Sequence, residues 1–160
     1  DGFICHGFTT EKYLREVTLP ALRRGRAKAG KTMVGFEIVG PSFVVTGNSA
    51  DEMQQAASGT RQQIAFYGST PAYSGVLEIH GWNDLQPQLN ALSKQGKWVE
   101  MGDLITDEIL NTFAVVGEPE TIAPELTKRY GDVIQRLSFY APYSSDQSRW
   151  AQVIADIKSV

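Results

Sequence analysis

One cysteine and two histidines among 160 residues leave little material for thiol or metal chemistry. A lone Cys5 excludes an internal disulfide framework and any cysteine-cluster metal site, and this usage suits a reducing compartment, so the expected location is the cytoplasm. His6 and His80 lie far apart and no carboxylates repeat at ligand spacing, so no metal site is expected. No apolar run approaches the ~20 residues of a membrane helix. The net charge of −3 offers nucleic acid and anionic lipid no global attraction, so neither nucleic acid nor membrane is an expected partner. Internal repeats and low-complexity tracts are absent as well.

What is present has ordinary globular proportions, 42% hydrophobic and 21% charged, in a length suited to one domain. The chain is organised around residues 34–73. Val34, Phe36, Ile38, Val39, Phe43, Val44 and Val45 form a β-branched and aromatic run too apolar for a half-wet sheet, the signature of a parallel strand covered on both faces. Gly40 and Pro41 interrupt it, and because proline cannot donate to a ladder, a bulge or bend is expected there, with two strand pieces changing direction. Ser49 followed by Glu52 reads as a capping box. Met53, Ala57, Thr60 and Ile64 then make one helical stripe that Gly68 ends.

Residues 2–8 read as a short apolar strand whose C-terminal end carries Cys5, His6 and Phe8. A helix capped by Thr9 or Thr10 follows, kinked or restarted by Pro20 and closed by Gly30. Its basic C-terminal turns, Arg23 to Lys31, complement the helix dipole and face water rather than phosphate. Residues 67–83, rich in glycine, aromatics and hydroxyls and without a sustained period, read as a long structured loop of the kind that forms lids. Alternatively its segment Val76 to Ile79 docks on the outer helices. Short helices carrying Leu85, Leu89 and Leu92, then Trp98, Met101, Leu104 and Ile105, precede an apolar approach at Phe113 to Val116. A helix entered at Glu118 and Pro119 contains Pro124, which should bend it. Residues 133–139 form another buried strand, and Ser144 with Gln147 reads as a capping box opening the last helix.

Strand and helix alternate, which predicts a parallel α/β architecture. Three strands leave open apolar edges, whereas a barrel of eight strands and about 250 residues would supply neighbours on both sides. The chain opens on Asp1 and is inside a strand by Phe3, so an upstream continuation is expected. The stretches DGFICHGFTTEKYLREVTLPALRRG, FEIVGPSFVVTGNSADE, RQQIAFYGSTPAYSGVLEIHGW and FAVVGEPETIAPELTKRYGDVIQRLSFY resemble the C-terminal half of luciferase-like oxidoreductases (luciferase-like monooxygenase family), closest to the actinobacterial branch dependent on coenzyme F420, a deazaflavin. Asp1-Gly2 resembles that family's strand entry, and Gly117 to Glu120 its helix entry, with Glu118 in place of the usual hydroxyl cap.

The resemblance implies that residues 1–160 are a single partial domain, the C-terminal part of a (β/α)8 TIM barrel with about three parallel strands, helices on their one side and a helical insertion, lacking its N-terminal half. It implies hydride transfer between coenzyme F420, alternatively FMN, and a small organic substrate, in a homodimer, with the main cofactor contacts on earlier strands. In a parallel barrel the site lies at the C-terminal strand ends. His6 is therefore the catalytic candidate, His6 and Phe8 the candidates for holding the cofactor ring, and Tyr67, Ser69, Thr70, Tyr73 and Tyr140 the candidates for the substrate pocket. Cys5 and His6 point to opposite faces of a strand, which disfavours a nucleophile pair. The turn Thr46 to Ser49 presents N–H groups that could hold a phosphate, although most such turns only cap a helix. The competing reading is a non-catalytic α/β module that associates through open strand edges or the loop 67–82. A hydrolase using His6 is weaker still.

Overall fold

The long strand β2, Glu37–Val45, is the hub of a four-stranded parallel sheet with β1 (Gly2–Ile4), β3 (Ala114–Val116) and β4 (Arg136–Tyr140). The structure, a computed structural model, describes residues 1–159. The registers explain how one strand serves three partners. β1 pairs with Glu37 to Val39, β3 with Phe43 to Val45, and β4 with Val39 to Phe43. Because β4 overlaps both others at Val39 and Phe43, it takes one edge of β2 while β1 and β3 share the other in tandem. Alternate residues bond to opposite edges: the Val39 carbonyl accepts from Cys5 N–H and the Ile38 carbonyl from Gln135 N–H. Pro41 thus faces the gap between β1 and β3, where its missing N–H removes no ladder bond. Instead of the expected break at Gly40-Pro41, the strand runs through. The expected strand at 133–139 begins later, and the apolar approach before Gly117 is itself a fourth strand. A closed barrel would place β3 between β2 and β4; here β3 covers only the last three residues of β2, and β4 pairs with β2 directly.

Helices lie on both sides of this sheet, not on one. Side chains alternate along a strand. Phe43, Val45 and Ala114 join a core with Ala56, Ile64, Leu77, Leu89, Met101, Ile109 and Phe113, contributed by α3 (Ala50–Gly68), α4 (Ser74–Glu78), α5 (Leu85–Lys94), α6 (Trp98–Asp103) and α7 (Asp107–Phe113). Ile38, Val44 and Val115 join a second core with Leu14, Leu19, Ile122, Leu126 and Val153. That layer is built from the π-helical turn Leu14–Thr18 that follows α1 (Glu11–Tyr13), with α2 (Leu19–Lys28), α8 (Pro119–Tyr130) and α9 (Gln147–Lys158). This two-sided burial is the reason β2 carries so few polar residues.

Local chemistry sets the helix ends. Thr10 Oγ1 accepts from Tyr13 N–H and caps α1, after which a π-helical turn, Leu14–Thr18, leads into α2. The wider turn admits Pro20, whose ring would otherwise press on the carbonyl four residues back. Ser49 Oγ accepts from Glu52 N–H as a cap should, but the Glu52 carboxylate accepts from Asn48 N–H rather than closing on Ser49. At the last helix the cap is Asp146, which accepts from Ser148 N–H, and not Ser144. Pro124 is accommodated inside α8, and Glu118 occupies the N-cap without a side-chain cap bond. The segment 67–83 is mostly ordered helix: a 3-10 turn at Pro71–Tyr73 continues into α4. Burial of Val76 and Leu77 holds it, so it is a packed insertion rather than an irregular loop.

Candidate active site

The C-terminal end of β1 delivers consecutive residues to opposite sides of the sheet. Cys5 is buried in the second core, and burial pushes its thiol up. His6 turns the other way. Its exposed ring stands edge-on to Tyr67, at 4.9 Å and 81° between planes, and against Tyr73 at 5.0 Å and 33°. A Cys5–His6 nucleophile pair is therefore excluded by geometry. Nδ1 of His6 accepts from the Phe8 N–H at 3.0 Å. In the neutral ring the proton then sits on Nε2, which is left as a donor.

Phe8 is only 3% exposed, stacked on Phe113 at 4.7 Å and further bordered by Tyr67 and Tyr73. A ring so covered has no free face for a cofactor; it supports the tyrosines instead. Tyr67, near the end of α3, reaches across to β4, where its hydroxyl lies 2.9 Å from that of Tyr140. Tyr140 stacks on Phe43 at 4.6 Å and 17°, and burial followed by the Tyr67 hydroxyl pushes its phenol up to about 12. The approach of Gly7 is equally close, since a Cβ there would stand 3.0 Å from the Tyr140 ring. His6, Tyr67, Tyr73 and Tyr140 thus form one aromatic face supported from beneath by Phe8 and Phe43.

Ser69 and Thr70 do not join it through hydrogen bonds. The Ser69 hydroxyl donates to the Phe66 carbonyl at 2.7 Å, and its own carbonyl accepts from Gln86 and Asn90. Thr70 is exposed, and its backbone closes turns with Tyr67 and Tyr73. The turn Thr46 to Ser49 has its Asn48 N–H filled by the Glu52 carboxylate, which leaves a poor seat for a phosphate. A cavity of about 520 Å³ beside it is lined by Glu118 and Glu120 as well. Among the described residues no group of three or more His, Cys, Asp or Glu could hold a metal ion, and no helix is long and apolar enough to cross a membrane.

Two features escaped the sequence reading. Buried Arg149 of α9 donates to the Thr46 carbonyl and to Glu52, while the Tyr143 hydroxyl donates to the Val44 carbonyl and accepts from Thr46 N–H. Together they pin the exit of β2. His80 stacks on Trp82 at 4.7 Å, and its Nε2 lies 2.8 Å from Thr10 Oγ1, clasping the insertion to the start of α1. Burial, then the nearby Lys12 charge, pulls the His80 imidazole down. The hydrogen-bonded partners are 70 or more residues apart, so no local pattern announces either set of bonds.

The model of the luciferase-like monooxygenase family matches residues 1–136. The chain belongs to this family. An uncharacterised protein of Mycobacterium tuberculosis is 50% identical over 137 residues, covering 86% of this chain and 40% of that protein. The 5,10-methylenetetrahydromethanopterin reductase of Archaeoglobus fulgidus is 27% identical over 146 residues, covering 87% and 42%. The chain thus spans about two fifths of the length of these relatives. The structure of the coenzyme F420-dependent tetrahydromethanopterin reductase of Methanopyrus kandleri superposes with a TM-score of 0.65 over 85% of this chain and 38% of that one, at 17% identity. That likeness shows the fold: a parallel α/β part of a luciferase-like TIM barrel.

Proposed function

We propose that this chain is the C-terminal part of a coenzyme F420-dependent luciferase-like oxidoreductase, with FMN as the alternative cofactor, acting on a small organic substrate in the cytoplasm as a homodimer. The aromatic face at the C-terminal end of β1 carries the reading. It sits where parallel barrels keep their chemistry, and it combines flat apolar surface with the outward Nε2–H of His6. A planar heterocycle bordered by carbonyls fits that donor set through stacking and hydrogen bonding. Coenzyme F420, when bound, supplies or accepts hydride. His6 would hold the ring, and Tyr67, Tyr73 and Tyr140 would border the substrate. The Methanopyrus reductase, which is coenzyme F420 dependent, supports this choice.

Fluorescence titration of the full-length protein with F420 and with FMN is the test. Binding of F420 in preference to FMN, weakened in His6→Ala, is the expected result; the 160-residue chain alone should bind neither appreciably, because the earlier strands are missing. Failure of the full-length protein to bind either cofactor would favour the non-catalytic module.

A further inference from the structure

The strand-end face has an electrostatic character that the cofactor does not require. Its contributing segments, residues 6–10, 46–49, 67–73 and 140–145, contain no Lys, Arg, Asp or Glu. Lys12 and Arg149, which follow two of these segments in the chain, are already committed. Lys12 donates to the Ile79 carbonyl, and Arg149 is 6% exposed and held by the Thr46 carbonyl and Glu52. A carboxylate or phosphate brought to this face would lose water without meeting a compensating charge.

Polarity is supplied instead by hydroxyls. The Tyr67 and Tyr140 oxygens are 2.9 Å apart, and only one hydrogen lies between them. Whichever hydroxyl donates, the other keeps a free O–H, so the pair presents one outward donor on half-buried aromatic ground. His6 Nε2–H is a second, its ring 4.9 Å from that of Tyr67. Tyr73 fills the remaining side, 6.4 Å from Tyr67 and 5.0 Å from His6.

We infer that this face binds a neutral, planar organic compound bearing a hydrogen-bond acceptor such as a carbonyl, its ring against Tyr73 and its acceptor on the free hydroxyl of the Tyr67–Tyr140 pair. This deepens the proposed function and rests on the reading of the face as the substrate pocket. Anionic analogues of the same shape are disfavoured because these segments carry no Lys or Arg to receive them. Tyr140 acts here as a positioning residue when Tyr67 is the outward donor, and the roles exchange when the hydrogen is reversed.

The full-length protein without cofactor, titrated with 2-acetonaphthone, 2-naphthoate and naphthalene and followed by fluorescence, tests the inference. The three probes share one ring system and differ in carrying a ketone, a carboxylate or no acceptor. The ketone should bind at least about tenfold more tightly than the carboxylate. The double change Tyr67→Phe with Tyr140→Phe, which removes both hydroxyls, should weaken the ketone by roughly three- to tenfold, the range of one neutral hydrogen bond, and leave naphthalene unchanged. Unchanged naphthalene binding also shows that the variants are folded. Tyr73→Ala should weaken ketone and naphthalene together. Equal or tighter binding of the carboxylate would overturn the inference, as would ketone affinity indifferent to the double Tyr→Phe change. Because no cofactor is present, ketone selectivity with no F420 or FMN binding would sink the oxidoreductase reading alone, and the reverse pattern would sink this inference alone.

Discussion

Phe43→Ala should be among the most costly single substitutions in this protein. The side chain is 0% exposed in the C-terminal part of β2, where it packs in the α3–α7 core and stacks on Tyr140. Truncation removes the ring's burial and leaves a cavity that a parallel strand fixed on both edges cannot collapse around. Such Phe→Ala changes cost about 3–5 kcal/mol, and the ring pair with Tyr140 places this one toward the upper end. With a urea dependence of roughly 2 kcal/mol per molar, the unfolding midpoint should fall by about 1.5–2.5 M with an unchanged slope. Phe66→Ala is the internal control. That ring is 51% exposed on α3, and its loss should move the midpoint by less than about 0.5 M. Urea melts followed by circular dichroism decide the matter. Equal midpoints for the two variants would refute the claim that β2 is the buried hub.

Gly47→Ala should lower the thermal midpoint, because its Cβ would fall 2.7 Å from both Glu52 Cβ and Met53 N, and backbone must shift to admit it. About 1–3 kcal/mol is the expected loss, and a neutral melt would show that the start of α3 is looser than described. His80 gives a pH signature. Its folded pKa is pulled below the unfolded value, so its contribution is full above about pH 6.5 and is lost as pH falls through the lower folded value. The melting temperature should therefore drop as pH falls from about 7 to 5, and His80→Phe should flatten that part of the profile. An identical profile in the variant would separate the His80–Thr10 clasp from stability.

Local sequence determined a good part of this protein. The apolar run from Ile38 to Val45 required a parallel strand covered on both faces, since only two-sided burial rewards so few polar residues, whereas Val34, read into the same run, lies outside β2 and is 87% exposed. Thr10, Ser49 and Thr106 cap helices because a hydroxyl three residues ahead of a free N–H satisfies it without help from the rest of the chain. Strand-to-helix alternation, together with the quoted stretches, carried the luciferase-like family. Tertiary structure decided the rest. The three-residue β3 is too short to show a period and exists because Val45 offers it a carbonyl, taken by Gly117 N–H. The covering of Phe8 depends on Phe113, and the insertion is helical because Val76 and Leu77 find a core. The aromatic face at the end of β1 joins His6 to residues 61, 67 and 134 positions away, Tyr67, Tyr73 and Tyr140. Periodicity and capping are properties of neighbours within a few residues, whereas a site assembled from four elements exists only when the sheet has brought their ends together.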